Sequence, residues 1–210
     1  MTLGKFIVIE GIDGAGTTTQ AALLTQMLQQ KGLPVIQTAE PSNGPIGMMI
    51  RSILTRRMTL PEKEAHLNQK ALTLLFAADR LDHLETVIRP ALEAGTYVIC
   101  DRYSPSTFSY QGVGVSNEQW LTEVDSEAIA PDIIIYLKIS VQDALARIHS
   151  RRETEIFEKE EFLTKVITRY DTYIQAEEKL KSIKVLTVNG MLQPNVIANL
   201  IWQDFKDVFC

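Results

Sequence analysis

Five short apolar runs rich in β-formers punctuate the chain, at 6–9, 34–39, 96–100, 132–139 and 184–188. Helical patterns separate them. After the first run, Leu23, Leu24, Met27 and Leu28 recur at the spacing of an amphipathic helix, which stops near Lys31 and Gly32. A long helical region is predicted from about 61 to 93, with a break, ending at Gly95. Ser140 precedes Asp143 by three positions, the signature of a helix N-cap with an acid in the first turn. Pro194 suits the first turn of a closing helix. Strands alternating with helices imply a parallel sheet covered on both faces, an α/β fold.

The connection after the first run changes the picture most. Residues 11–20 read Gly-Ile-Asp-Gly-Ala-Gly-Thr-Thr-Thr-Gln. A phosphate-binding loop asks for Gly, four residues, Gly, Lys and then Ser or Thr. Gly11, Gly16 and Thr18 fit, and Thr17 stands where the lysine belongs. The strand–glycine–helix context supports the loop, because a helix start offers unpaired N–H groups and a positive dipole end to a phosphate. Gly14 and Gly16 let the backbone approach closely. The Thr18 hydroxyl is the motif's Mg²⁺ ligand. The absent lysine would reach the β- and γ-phosphates, and one charge at contact is worth roughly 4 kcal/mol at an effective dielectric near 20. That is about a thousandfold in rate if nothing replaces it.

Composition narrows the class. The 210 residues suffice for one sizeable α/β core, and 45% are hydrophobic. The longest apolar run is far too short to span a membrane, and nothing at the N-terminus reads as a signal peptide. Cys100 and Cys210 form neither a disulfide framework nor a metal-ligand spacing, so a soluble cytoplasmic protein is expected. A net charge of −5 without a basic tract disfavours extended nucleic-acid binding.

Further candidate residues fall at strand ends, where open parallel sheets bind ligands. Glu40, Pro41, Ser42, Asn43 and Gly44 follow the second run, and Asp101 to Ser106 follow the third. Asp101 is placed like a Walker-B acid, able to bind Mg²⁺ or its water shell. Arg102 can grip a phosphate through two N–H donors. Each alone reads as a surface ion pair, and their convergence on one edge favours a site. Phe76 and Arg80, four apart, share a helix face on which an aromatic can stack on a base beside a guanidinium. The plainer reading of Phe76 is a core residue.

Together these segments resemble the thymidylate kinases, P-loop nucleoside monophosphate kinases that phosphorylate dTMP with ATP. The similarity runs from Phe6 through Gly16, Glu40-Pro41 and the stretch 75–80, Leu-Phe-Ala-Ala-Asp-Arg. Its most specific part is 101–112, Asp-Arg-Tyr-Ser-Pro-Ser-Thr-Phe-Ser-Tyr-Gln-Gly. The resemblance implies a single domain over 1–210: a three-layer P-loop NTPase-like fold, five parallel strands flanked by helices, with a small lid at about 147–160. It implies ATP contacts from Gly11, Ile12, Asp13, Gly14, Ala15, Gly16, Thr17, Thr18 and Thr19. It implies dTMP contacts from Glu40, Pro41, Arg51, Phe76, Arg80, Arg102, Ser106, Tyr110 and Gln111. Thr18 and Asp101 would serve Mg²⁺, and Asp13 would lie near the sugar 3′-hydroxyl. A homodimer is implied as well.

In forms whose P-loop lacks an arginine, lid arginines supply positive charge, and Gly14-Ala15 resembles that group. Arg147, Arg151 and Arg152 are then the candidates to replace the lysine, with Asp13 and Arg102 completing the catalytic set. The stretch Glu155-Ile-Phe-Glu158 lacks a second basic residue common in such lids. On the residues alone, a catalytically weak nucleotide-binding protein and a kinase for another deoxynucleoside monophosphate stay open.

Overall fold

In a computed structural model the protein is described over residues 4–58, 67–148 and 159–209. The strands are β1 (Phe6–Glu10), β2 (Val35–Ala39), β3 (Tyr97–Asp101), β4 (Ile133–Lys138) and β5 (Lys184–Asn189), each within about a residue of its apolar run. They form one all-parallel sheet in the order β2-β3-β1-β4-β5. The fold is the expected α/β P-loop NTPase-like type. β1 is central, and the three middle strands are buried on both faces, as their unbroken apolar runs require.

Side chains alternate across the sheet and feed two cores. Ile7, Ile9 and Ile99 point into the larger one, with Leu24 and Leu28 of α1 (Thr17–Gln30) and Ile197 and Ile201 of α10 (Pro194–Phe209). Phe6, Val8, Val98 and Cys100 point into the smaller one, against Leu84 and Ile88.

The helix expected from about 61 begins later within the described residues. Asn68 caps α3 (Gln69–His83), its side chain accepting from the N–H groups of Lys70 and Ala71. The expected break is a π-helical stretch, Leu84–Ile88, leading into α4 (Arg89–Glu93). Pro90 explains it, since proline lacks the N–H that a regular turn would use. Helix α2 (Pro45–Leu54) follows the Glu40–Gly44 loop and packs on α3. After β3 the chain makes α5 (Ser104–Ser106), a π-helical stretch Thr107–Gln111, and α6 (Gly112–Gly114). Then come α7 (Glu118–Val124), α8 (Val141–Ile148) and the long α9 (Glu160–Leu180). Among the described residues, no helix is long and apolar enough to cross a membrane. Most of the expected lid lies outside the described residues, including Arg151, Arg152 and 155–158.

Candidate active site

The carboxyl ends of β1, β2 and β3 open into one cleft of about 250 Å³. Its floor is the loop between β1 and α1. Gly14 has φ +86°, and a Cβ there would sit 2.9 Å from the Ala144 carbonyl of α8, so only glycine fits. Gly16, at φ +95°, is the N-cap of α1 and offers no side chain to the helix start. The amides of the first turn are therefore left for an anion. Ile12 and Ala15 point into the core, so any phosphate contact from them is through backbone.

Asp13, Gly14, Gly16, Thr17, Thr18 and Thr19 line this cleft on one side. On the other stand the expected acceptor residues: Glu40, Pro41, Arg51, Phe76, Arg80, Arg102, Ser106, Tyr110 and Gln111. Phe76 is half-buried, touching the core and the cleft at once. Gly11 does not reach the cleft surface. Arg147 does not line it either: its Nη1 donates to the Gly14 carbonyl and its Nη2 to the Gly190 carbonyl, both at 3.0 Å. That guanidinium ties the outer side of the loop to the turn after β5.

Among the described residues, Arg102 is the cation set between the loop and the far wall of the cleft. Its Nη2 lies 2.7 Å from Asp13 Oδ1, its Nη1 donates to the Gly11 carbonyl at 2.8 Å, and its guanidinium sits 5.2 Å from the Tyr110 ring centroid. Burial opposes its charge, but Tyr110, Asp13 and neighbouring acids outweigh it and raise its pKa further above the ordinary value. Its φ of +73° is in the left-handed region, a strain of about 1–3 kcal/mol for a side chain without special preference for it. That backbone turn aims the side chain back over the loop, where the Tyr110 hydroxyl also accepts the Asp13 N–H at 2.9 Å.

Asp101 and Thr18 meet at the donor side, the Thr18 hydroxyl donating to Asp101 Oδ2 at 2.5 Å. Asp101 Oδ1 is buried and has no hydrogen-bond partner among the described residues. A hydroxyl and a carboxylate with one open oxygen are hard donors that fit Mg²⁺.

Arg80 is held more tightly than a helix-face position implies. Its Nε lies 3.0 Å from Glu40 Oε2, Nη1 bonds Asp125, and Nη2 donates to Thr107 Oγ1 at 2.7 Å. Next to it, Asp79 accepts from the backbone N–H and the hydroxyl of Ser42, each at 2.6 Å, and pins the loop that carries Glu40 and Pro41. Arg51 donates to the Pro41 carbonyl from the exposed side.

Sequence reasoning missed Asp79, Thr107, Asp125, Tyr170 and the role of Glu10. Asp79 and Thr107 lay inside segments already singled out. Asp125 and Tyr170 stand in stretches with no local signal, and only the fold brings them in. Glu10, at the end of β1, is buried and accepts from Tyr103 N–H, Ser106 and Tyr170. Burial pushes its carboxyl up to about 7, against the pull of Arg102 and those hydrogen bonds.

A family model described as thymidylate kinase matches residues 9–189. The chain is 42% identical over 171 residues to a thymidylate kinase of Desulfotalea psychrophila, covering 80% of this chain and 81% of that protein. It is 36% identical over 192 residues to a probable thymidylate kinase of Thermococcus gammatolerans, covering 91% of each. A probable thymidylate kinase of Methanococcus aeolicus is 40% identical over 168 residues, 80% of this chain and 78% of that one.

Proposed function

The chain belongs to the thymidylate kinase family, and on that premise we propose that it transfers the γ-phosphoryl group of ATP to dTMP, giving dTDP and ADP. The observation that carries this reading is the single cleft shared by the phosphate loop and the acceptor residues. A protein that only bound ATP would gain nothing from Phe76, Arg80 and Arg102 on the far side. The dTMP phosphate is already ionised and needs no strong base. Transfer then depends on in-line placement and on neutralising spread negative charge. The first-turn amides of α1 would hold the donor phosphates, and Arg102 the acceptor phosphate. Phe76 would stack on the base and Arg80 would bond its edge. Thr18 and Asp101 would hold Mg²⁺, which supplies charge stabilisation across the donor phosphates.

Thr17 leaves the donor side short of a cation. Arg147 donates to the Gly14 and Gly190 carbonyls and to Met191 Sδ, Gly14 being part of the phosphate loop. Arg151 and Arg152 follow it by four and five positions in the sequence. We therefore assign the lysine's charge to the lid arginines, with Arg102 beside them. A coupled ATP/dTMP assay tests both statements. The parent chain is expected to be active, with dTMP preferred over dUMP, dGMP and dCMP. Replacing Arg151 and Arg152 together by alanine is expected to lower kcat about a hundredfold or more, the scale of losing a group that stabilises transition-state charge. Adding Thr17→Lys is expected to restore part of that loss. An inactive parent revived by Thr17→Lys alone would overturn the assignment.

The same family premise supports a homodimer. Leu74, Leu81 and Val87 are exposed along α3 and its π-helical extension, and Met48 and Met49 are exposed on α2. Leu74 and Leu81 are seven apart, on one helix face. Light scattering is expected to give twice the 23.6 kDa chain mass, and Leu81→Glu to shift it toward the monomer. A parent of monomer mass would remove this reading.

A further inference from the structure

The transfer scheme leaves one buried carboxyl unused. Glu10 Oε1 accepts the Tyr103 N–H at 2.8 Å, and Oε2 accepts the hydroxyls of Ser106 at 2.7 Å and Tyr170 at 2.8 Å. Those two hydroxyl oxygens lie 2.8 Å apart. Arg102 stands beside both, its Nη1 3.4 Å from Ser106 and 3.5 Å from Tyr170.

A hydroxyl has one proton and two lone pairs. When Ser106 and Tyr170 both donate to Glu10, their lone pairs are free to face Arg102. A carboxylate at Glu10 thus orients two dipoles with their negative ends toward the guanidinium. The same carboxylate fixes Tyr103 N–H, one residue past the left-handed backbone of Arg102. Four parts of the fold are tied at one point: the end of β1, the turn after β3, α5 and α9.

We propose that Glu10 is a positioning residue for the acceptor phosphate: by taking the protons of Ser106 and Tyr170 it holds both hydroxyls as acceptors for Arg102, and so fixes the guanidinium that meets dTMP. This rests on the dTMP kinase reading above.

The other titratable groups that feel Glu10 are Cys100 on β3, Tyr136 on β4 and Tyr173 on α9, each raised by burial and so neutral near pH 7. Arg102 is the charged group facing it. With a pKa of about 7, Glu10 gains its proton as the pH falls through neutrality. That proton is donated to one of the two hydroxyls, which uses a lone pair on it and turns its own proton away from Glu10, so it is a poorer acceptor for Arg102.

Glu10→Gln fixes the reversed arrangement, because the amide NH₂ donates where the carboxylate accepted. The test compares kcat/KM for dTMP in the parent and in Glu10→Gln from pH 5.5 to 8.5. Titration of the dTMP phosphate is common to both proteins and cancels in their ratio. The parent-to-variant ratio is expected to be near one at the acid end and to rise about tenfold or more through pH 7, the scale of a hydrogen bond to a charged group. KM for dTMP is expected to carry the change and KM for ATP to stay put. A flat ratio, or an unchanged KM for dTMP, overturns the proposal. If Glu10→Gln fails to fold, Tyr170→Phe decides: it removes one of the two hydroxyls, and an unchanged KM for dTMP there overturns the proposal equally. A parent that neither phosphorylates nor binds dTMP in calorimetry overturns the functional reading itself.

Discussion

Arg102→Ala is expected to lower kcat/KM for dTMP by roughly a thousandfold, the factor that follows from removing about 4 kcal/mol of charge stabilisation. The magnitude follows from where the guanidinium stands. It touches Asp13 and the Gly11 carbonyl on the donor loop while lining the acceptor half of the cleft. In most P-loop enzymes a lysine shares this load. Here Thr17 cannot, so on the proposed reading Arg102 would carry more of it. Arg102→Lys is expected to recover only a small part, because a compact ammonium cannot bond Gly11, Asp13 and a phosphate in one plane. Steady-state kinetics with both substrates varied, and dTMP binding by calorimetry, separate positioning from chemistry. Loss confined to KM for dTMP would mean that Arg102 binds the acceptor and does not stabilise the transferring group. A loss below tenfold would remove it from the catalytic set.

The strands were legible because a doubly covered parallel sheet needs near-continuous apolar runs, and 6–9 and 132–139 are such runs. The phosphate loop was legible because its glycines are required by backbone geometry, as the crowding of Gly14 by Ala144 demonstrates. The strand order was not, since periodicity says nothing of which parallel strand lies beside which. Nor were the partners of Arg80. Asp125 lies 45 residues away in a turn after α7, and Thr107 meets Arg80 from the start of a π-helical stretch that periodicity does not announce. Sequence spacing put Phe76 and Arg80 on one face, and the fold made that face the wall of the cleft. Arg147 is the instructive difference. Its place at the start of the lid that the resemblance implies suggested a cation for the transferring phosphate, and the structure sets its guanidinium against carbonyls of two separate loops. Such acceptors are backbone atoms, and no residue pattern announces them.

Arg80→Ala is expected to cost about 3–5 kcal/mol of folding stability, more than any surface substitution, because it strands two carboxylates that the guanidinium now neutralises. The side chains of Arg80 and Glu40 are 3% and 4% exposed, and that of Asp125 is 9% exposed. Burial works against the Arg80 charge, but Glu40 and Asp125 outweigh it and raise its pKa above the ordinary arginine value. The guanidinium also lies 5.0 Å from the Tyr103 ring centroid. Whole domains are stable by only about 5–15 kcal/mol, so the loss is a large fraction of the total. At about 2–4 °C per kcal/mol for a chain of this size, the melting temperature should fall by roughly 10 °C. Asp125→Asn added to Arg80→Ala should regain part of the loss, since it removes one stranded charge, whereas the two would add if Arg80 acted only through packing. Thermal melting of the single and double variants measures this directly. A drop of a degree or two for Arg80→Ala would mean that water reaches the network, and that the rigid wall facing Phe76 is softer than its hydrogen bonds imply. The functional consequence follows from the same bonds. With Glu40, Asp125 and Thr107 each holding one of its three guanidinium nitrogens, Arg80 would, on the proposed reading, offer a spare N–H in a fixed orientation to a base entering beside Phe76.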